Sequence, residues 1–267
     1  MRPLENCHAL ITGASAGIGR EFARQLGGRA ARLVLVARRE QRLEDLREEL
    51  RARHPRLEVE IRPTDLSKAA AVDDLISWAA AQTRGIDLLV NNAGLGDLGA
   101  FATADPERIE LMLQVNVVAL TRLTRALLPA MIAQKHGAIL NVSSSASFLP
   151  IPNFAVYAAT KAYVTSFSEA LRSELMGTGI HVSALCPGPV ATEFTEVARR
   201  KPTGPAPREP RVAYVAVEQV VADALRGIER NQPVVIPGLV MKAGMLIVRL
   251  TPRPVLRLGS RLFAKPA

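Results

Sequence analysis

Cysteine and aromatic residues are scarce in this chain. Its 267 residues include two cysteines, and phenylalanine, tyrosine and tryptophan together make up 4 %. Cys7 and Cys186 both lie in apolar, strand-like stretches, so we expect no disulfide framework and a reducing, cytoplasmic compartment. So few aromatic side chains argue against a stacking platform for single-stranded nucleic acid.

Long hydrophobic runs and metal-ligand spacings are missing as well. No stretch approaches the ~18 uninterrupted apolar residues of a membrane-spanning helix, and the opening MRPLENCHALITG lacks the apolar segment of a signal peptide. The four histidines and two cysteines show no metal-ligand pattern, so no metal site is predicted. The 48 % hydrophobic content is enough to form a full core, which we place in a single domain over residues 1–267.

Positive charge is in excess and unevenly distributed. The net charge is +9, with six basic and no acidic residues from Lys242 onward, and five basic residues against one glutamate over 199–211. The first 190 residues mix acids with arginines along predicted helices, which is typical of a solvated face. No recognition motif accompanies the charge, so we expect no nucleic-acid partner.

Short apolar strands alternate with longer amphipathic helices. Strands are predicted near 7–12, 32–36, 57–61, 87–91, 137–143, 181–186 and 233–236. Helices are predicted near 17–27, 39–53, 68–83, 106–134, 156–176 and 217–230. Strands such as HALIT and LVLVA are continuous apolar runs, as in parallel strands covered on both faces. The pattern predicts an α/β fold with a doubly wound, Rossmann-like parallel sheet of about seven strands and helices on both faces.

Two segments interrupt the alternation. Residues 193–215 contain four prolines within a cluster of charge, and a long irregular loop of this kind is often an active-site lid. The catalytic core is therefore predicted over 1–237, followed by a basic amphipathic extension over 238–267. Pro252 and Pro254 should divide this extension into two short helices, with arginines at 249, 253, 257 and 261. Such a tail suits peripheral contact with an anionic membrane, or it covers the domain or a partner subunit.

A glycine-rich loop joins the first predicted strand to the first helix. In TGASAGIG, residues 12–19, Gly13 allows a sharp turn, while Gly17 and Gly19 let the backbone approach a pyrophosphate at the helix N-terminus. The spacing T-G-x-x-x-G-x-G resembles that of the short-chain dehydrogenase/reductase family. The resemblance covers roughly residues 7–237.

A second motif, YAATK, places Tyr157 and Lys161 on one face of a predicted helix. Ser144 precedes Tyr157 by 13 residues, at the end of the fifth predicted strand. Reduction of a ketone requires a proton for its oxygen, and a free tyrosine with a pKa near ~10 exchanges protons poorly at neutral pH. A neighbouring lysine ammonium lowers that pKa. We therefore expect Tyr157 as acid/base, Lys161 as its partner and Ser144 as the residue that holds the substrate oxygen.

Three further stretches match the family: NNAG at 91–94, Asn116 in LQVNVVAL, and CPGPVATEF at 186–194. The resemblance implies that Asn116, the fourth catalytic residue, helps to position Lys161 through a water. The residues expected to contact the cofactor are Gly13, Ser15, Gly17, Ile18, Gly19, Arg38, Asp65, Leu66, Asn92, Ala93, Gly94, Tyr157, Lys161, Pro187, Gly188, Val190 and Thr192. The residues expected around the substrate are Leu95, Phe148, Phe154 and Phe194.

The end of the second predicted strand bears on the choice of cofactor. NAD-preferring members of the family carry an acidic residue there, whereas this chain has Ala37 followed by Arg38. A guanidinium offers a planar fork of donors suited to phosphate oxygens, so we expect NADP(H) with Arg38 as the main contact. Arg39 is a weaker candidate that we assign mostly to the surface. Ala16 stands where many NADPH-using members carry a basic residue.

Together these features predict an NADPH-dependent oxidoreductase that interconverts a small hydrophobic ketone or aldehyde, a class that includes 3-oxoacyl substrates, and its alcohol. The alternatives are a non-catalytic NADP(H)-binding regulator and a membrane-surface scaffold on the same fold. The resemblance also implies a homo-oligomer, paired through the helices that carry Asn116 and Tyr157. The physiological substrate, the stereochemistry of hydride transfer and the working direction stay open.

Overall fold

A computed structural model describes residues 4–200 and 214–263. Within these ranges seven parallel strands form one sheet in the order β3-β2-β1-β4-β5-β6-β7. The strands are β1 His8–Thr12, β2 Arg32–Ala37, β3 Glu58–Pro63, β4 Leu88–Asn91, β5 Gly137–Val142, β6 Ile180–Leu185 and β7 Val234–Val235. The helices are α1 Gly17–Leu26, α2 Glu40–Arg53, α3 Ala69–Ala80, α4 Pro106–Leu113, α5 Leu120–Gln134, α6 Ala155–Glu174, α7 Phe194–Ala198, α8 Val217–Glu229, α9 Leu239–Leu250 and α10 Arg253–Phe263.

The central strands are apolar throughout because both faces of the sheet are covered. In β1, Ala9 and Ile11 pack in one core cluster with residues of α1, α2 and α8. Leu10, between them, packs in a second cluster with residues of α3, α5 and α6. Alternate residues of one strand therefore enter two different cores, and the predicted doubly wound fold is confirmed.

The strand order places the carboxyl ends of several strands around one crevice. β1 pairs with β2 on one side and with β4 on the other, so the chain changes direction across the sheet at β1. In open parallel sheets, ligands bind outside the carboxyl ends of the strands at such a switch point. The glycine loop follows β1, the two arginines follow β2, and Ser144 follows β5 shortly after the strand ends at Val142.

The helix predicted over 106–134 contains an interruption. Between α4 and α5, residues Gln114–Ala119 form a π-helical segment. In the part of the chain that the structure describes, Pro106–Gln134 is the one helix with the length and hydropathy of a membrane span. Its residues Leu123, Leu127 and Met131 pack into the core beneath the sheet, so we interpret it as a core helix.

The two irregular segments are only partly described. Of the lid expected over 193–215, the structure contains the short helix α7, whereas residues 201–213 lie outside the described ranges. After Gly238 the chain forms α9 and α10, which are separated at Thr251 and Pro252. The side chain of Arg261 and residues 264–267 also lie outside the description.

Candidate active site

The glycine loop is fixed against the end of β4. The Thr12 hydroxyl accepts hydrogen bonds from the amides of Asn92 and Ala93, both at 3.0 Å. The Asn92 side chain donates back to the carbonyl oxygens of Thr12 and Gly13, at 2.9 and 3.2 Å. Gly13 has φ +67°, and a Cβ built there would lie 2.8 Å from the Asn92 amide nitrogen. Only glycine fits this turn, because both its backbone conformation and its surroundings exclude a side chain.

The other two glycines of the loop serve different purposes. Gly17 has φ +52°, and a Cβ there would lie 3.1 Å from the Thr192 side chain across the crevice. Glycine at this position therefore leaves the gap between the two residues free. Gly19, expected to contact the cofactor, does not line the cavity. A Cβ on Gly19 would come within 2.3 Å of the Gly13 carbonyl oxygen, so this glycine allows α1 to pack against the loop. The cofactor contact predicted for Gly19 stays a prediction.

Both arginines after β2 line the same cavity as the glycine loop. The guanidinium of Arg39 donates to the Ser15 hydroxyl from Nε at 3.3 Å and from Nη2 at 3.2 Å. The Arg39 side chain is 46 % exposed, as expected of a surface residue, and it also extends from the start of α2 to the glycine loop. Burial alone would raise the pKa of the neighbouring Asp65, but hydrogen bonds from Ser67 and the charge of Arg38 lower it.

Tyr157 and Lys161 are brought together with Ser144 by α6 and the end of β5. The side chains of Tyr157 and Lys161 are both buried, and Lys161 Nζ lies 5.7 Å from the centroid of the Tyr157 ring. Lys161 donates to the Val142 carbonyl oxygen at 2.8 Å. Burial raises the pKa of Tyr157 to about 12, against an opposing hydrogen bond with Ser144, and lowers the pKa of Lys161 to about 8. The phenol therefore keeps its proton at neutral pH, whereas the pKa of the lysine lies close to neutrality.

Asn116 lies in the π-helical segment and links the loop after β4 to α6. Its side chain accepts from the Leu95 amide at 2.8 Å and donates to the Leu95 carbonyl at 2.9 Å. It also donates to the Thr160 hydroxyl at 3.0 Å, and Thr160 in turn donates to the Tyr157 carbonyl at 2.7 Å. Asn116 is buried behind the cavity wall rather than lining it. A π-bulge at a functional site is a recurrent feature of helices, and here it aims Asn116 at both elements.

The cavity at this edge of the sheet has a volume of about 640 Å³. Most predicted cofactor residues line it, together with all the predicted catalytic residues except Asn116. These lining residues are Gly13, Ser15, Gly17, Ile18, Arg38, Asp65, Leu66, Asn92, Ala93, Gly94, Ser144, Tyr157, Lys161, Pro187, Gly188, Val190 and Thr192. They come from seven separate stretches of sequence, and the segments that follow β1 to β6, together with α6, bring them to one space.

One wall of the cavity is aromatic and apolar. The ring centroids of Phe154 and Tyr157 are 4.2 Å apart, and those of Tyr157 and Phe194 are 5.2 Å apart. Leu95, also predicted, lines the cavity beside them. Phe148, the fourth predicted substrate residue, does not, because residues 145–148 form a 3₁₀ turn against α9 and its ring faces Arg249, whose Cζ is 5.6 Å from the ring centroid. The expected substrate contact of Phe148 stays a prediction, and in this structure its ring lies outside the cavity lining.

Sequence patterns missed a further group of contacts, which fixes residues 193–200 against the rest of the chain. Arg200 donates two hydrogen bonds to the buried carboxylate of Asp97, at 2.9 and 2.6 Å, and Arg108 lies 3.3 Å from the same carboxylate. Beside this pair, the Leu98 amide bonds to the Ala198 carbonyl at 2.8 Å, which closes the end of the cavity. Glu193 spans the opposite end and accepts hydrogen bonds from Arg39 at 2.9 Å and Arg42 at 2.6 Å. No local motif marks these contacts, since their partners are far apart in sequence.

Comparison with known proteins assigns the family. Residues 7–203 match the model of the short chain dehydrogenase family. The chain belongs to this family. It is accordingly an oxidoreductase that acts on CH–OH or C=O groups, as the clustering of Ser144, Tyr157 and Lys161 indicates.

Three relatives show how far the similarity extends. The NADP-dependent 3-hydroxy acid dehydrogenase YdfG of Escherichia coli K12 is 34 % identical over 218 residues, which is 81 % of this chain and 86 % of the relative. A short-chain dehydrogenase from Sphingobium yanoikuyae, solved in complex with NADPH, is 33 % identical with a TM-score of 0.80, covering 98 % of this chain and 97 % of that one. The bulky-bulky ketone specific alcohol dehydrogenase from Comamonas testosteroni is 30 % identical with a TM-score of 0.77, covering 98 % and 96 %.

Proposed function

We propose that the protein is an NADP(H)-dependent oxidoreductase that interconverts a hydrophobic ketone or aldehyde and its alcohol. The observation that carries the proposal is the convergence of Ser144, Tyr157 and Lys161 on a cavity that the glycine loop and two arginines also line. The E. coli relative is named as NADP-dependent, and the Sphingobium enzyme was solved with NADPH. Both agree with Ala37, which stands where NAD-preferring members of the family carry an acidic residue.

The residues at the cofactor end fit this dinucleotide. A Cβ on Gly17 would lie 3.1 Å from the Thr192 side chain, so glycine keeps the backbone of the loop accessible to the pyrophosphate at the N-terminus of α1. Ala16, at the N-terminus of α1, makes no side-chain cap, so the first-turn amides keep their capacity for an anion. Ser15, Arg38 and Arg39 supply the donors for a 2′-phosphate, and Asp65 lies where an adenine contact is expected.

The remaining residues supply the proton and orient the substrate. When bound, the cofactor supplies the hydride that reaches the carbonyl carbon. The hydroxyl of Ser144 holds the carbonyl oxygen against the phenol, and Tyr157 transfers its proton to that oxygen. The ammonium of Lys161 stabilises the resulting phenolate, an effect strengthened by the dry surroundings of both groups. Asn116 acts as a positioning residue through Leu95 and Thr160.

The shape of the substrate end favours a neutral, apolar substrate. Among the described residues that line this end of the cavity, at 95, 98, 146, 151, 154, 194, 195, 197 and 198, none is charged. A ketone with bulky apolar groups therefore suits the wall formed by Phe154 and Phe194 better than a 3-hydroxy acid does. The 3-oxoacyl compounds stay among the proposed substrates, since their acyl chain is apolar.

Oligomerisation and location complete the proposal. Exposed apolar side chains lie along the helix 106–134 and α6, among them Leu113, Val118 and Tyr163. We infer that these faces pair in a homo-oligomer in the cytoplasm.

The test is NADPH oxidation with a panel of bulky ketones, aldehydes and 3-oxoacyl thioesters, using Tyr157→Phe as the control. We expect turnover that Tyr157→Phe reduces about 10³-fold without a change in NADPH affinity. Tight NADPH binding without turnover of any carbonyl would instead support the non-catalytic regulator.

A further inference from the structure

The outward faces of α9 and α10 are apolar and exposed. Ile247 is 66 % exposed, and Leu250 is 76 % exposed. The exposed large apolar residues of the two helices are Leu239, Val240, Leu246, Ile247, Leu250, Val255 and Leu258. Single exposed apolar residues are ordinary, but seven on consecutive helices form a patch of the kind that marks an interaction surface.

The orientation of this patch is fixed by the opposite face of α9. Met245 is buried, and a Cβ on Gly188 would come within 2.9 Å of the Met241 side chain. Arg249 lies over the ring of Phe148. Met241 and Met245 therefore anchor α9 to the cavity wall, while the residues at 239, 243, 246 and 250, which follow helical spacing, face away from it.

The charges around the patch point to its partner. From residue 239 to the end the sequence has no acidic residue, whereas Lys242, Arg253 and Arg257 lie among the exposed apolar side chains. Two copies paired through these helices would bring like charges together without any acid in the segment to compensate them. A lipid bilayer that contains anionic headgroups provides both an apolar phase and the opposite charge.

We propose that α9 and α10 dock the protein on an anionic membrane surface. Residues 145, 146 and 188, which line the cavity, lie directly behind α9. A helix with its side chains is about 10 Å thick, so the docked protein holds the substrate side of its cavity within about one helix diameter of the bilayer. This part of the inference rests on the proposed function: an apolar ketone dissolved in the membrane reaches the cavity without crossing bulk water.

The experiment is flotation of the full-length protein with phosphatidylcholine vesicles, with and without phosphatidylglycerol. We expect binding to the vesicles that contain phosphatidylglycerol, weakening as salt screens the charges. Ile247→Asp should abolish binding, and the double change Arg253→Gln and Arg257→Gln should weaken it about tenfold. Met176→Asp is the matched control, because Met176 is equally exposed but lies at the end of α6.

Circular dichroism melting checks that each variant is folded, and reduction of a water-soluble ketone is measured in parallel. We expect Ile247→Asp to reduce that ketone at the wild-type rate while it no longer binds vesicles. The two readouts are independent, since a protein without turnover can still bind vesicles. Wild-type protein that stays unbound in both vesicle types overturns the proposal. In that case size-exclusion chromatography identifies the alternative partner. If the wild type is a dimer and Ile247→Asp is a monomer, a second copy of the chain covers the patch.

Discussion

The two ends of the cavity are built in different ways. At the cofactor end, the loop from Thr12 to Gly19 is marked by short motifs: Gly13 and Gly17 adopt left-handed conformations, and Asn92 of the NNAG motif bonds to the loop. At the substrate end, Asp97 and Arg200 are 103 residues apart in sequence and meet only in the folded chain. The first end therefore depends on local sequence, and the second on tertiary contacts that can change without loss of the fold.

Lys161 lies where the two ends meet, and its replacement should have the largest effect. Lys161→Met keeps the length of the side chain but removes the charge that stabilises the Tyr157 phenolate. We expect kcat to fall about 10³-fold. The melting temperature should stay the same or rise, because a buried ammonium is costly to hold in the folded state. Steady-state kinetics and thermal melting measure both effects.

Lys135→Met serves as the control, since Lys135 is exposed at the end of α5 and should leave both quantities unchanged. Near-normal turnover by Lys161→Met would show that the tyrosine works without its neighbour.

Charge reversal at the cofactor end should discriminate between the two nucleotides. Arg38→Glu and Arg39→Glu each remove donors for a 2′-phosphate and add a like charge, so we expect the KM for NADPH to rise about 50-fold. The KM for NADH should stay the same or fall. Arg42→Glu is the matched control, because Arg42 also pairs with Glu193 but does not line the cavity. Equal losses with NADPH and NADH would contradict the assignment of these arginines to the 2′-phosphate.

The pH dependence should report the lysine rather than the tyrosine. The pKa of Lys161 is lowered to about 8 and that of Tyr157 raised to about 12. Below pH 8 the lysine is charged and supports the phenolate, so kcat/KM for ketone reduction should be level there and fall about tenfold per pH unit above it. A profile of initial rates between pH 6 and pH 10 tests this. A fall that begins only near pH 10 would mean that Lys161 keeps an ordinary pKa in the working enzyme.

At the substrate end, Asp97→Asn should change the KM for the ketone more than the KM for NADPH. The amide cannot pair ionically with Arg200 and Arg108, so the wall made by Leu98 and Ala198 loses its anchor. We expect the ketone KM to rise about fivefold. The free energy of unfolding should fall by about 2 kcal/mol, less than the ~3–5 kcal/mol of a fully buried ion pair that loses one charge, because the Arg200 side chain is 21 % exposed. Ketone kinetics at saturating NADPH and denaturant unfolding measure these changes. Asp73→Asn, which breaks an exposed pair with Arg122, is the control and should do neither.

The same contrast explains what the sequence could predict. The fold, the glycine loop and the cluster of Ser144, Tyr157 and Lys161 are encoded by periodicity and by short motifs, and the structure brings their residues together as expected. The hydrogen bonds from Arg39 to Ser15 have no sequence signal, because they depend on how β2 and the glycine loop lie side by side. The contact between Phe148 and Arg249 has none either, because the 3₁₀ turn after Ser144 sets the direction of the ring. The pairing of Asp97 with Arg200 and that of Glu193 with Arg39 could not be predicted, because the partners are more than 100 residues apart.

Glu193 connects the two ends, and its replacement should give the smallest and most selective effect. Hydrogen bonds from Arg39 and Arg42 lower the pKa of its carboxyl, so it is an anion at neutral pH. This anion occupies one edge of the Arg39 guanidinium, the group that also bonds to Ser15. A 2′-phosphate therefore competes with Glu193 for Arg39, whereas a cofactor without that phosphate does not. Glu193→Gln should lower the KM for NADPH about threefold, a small effect because both side chains are exposed. The KM for NADH should not change. If Glu193→Gln instead raised the KM for NADPH and the KM for NADH equally, the carboxylate would act by positioning residues 193–200 for either cofactor. It would then not compete with the 2′-phosphate for Arg39.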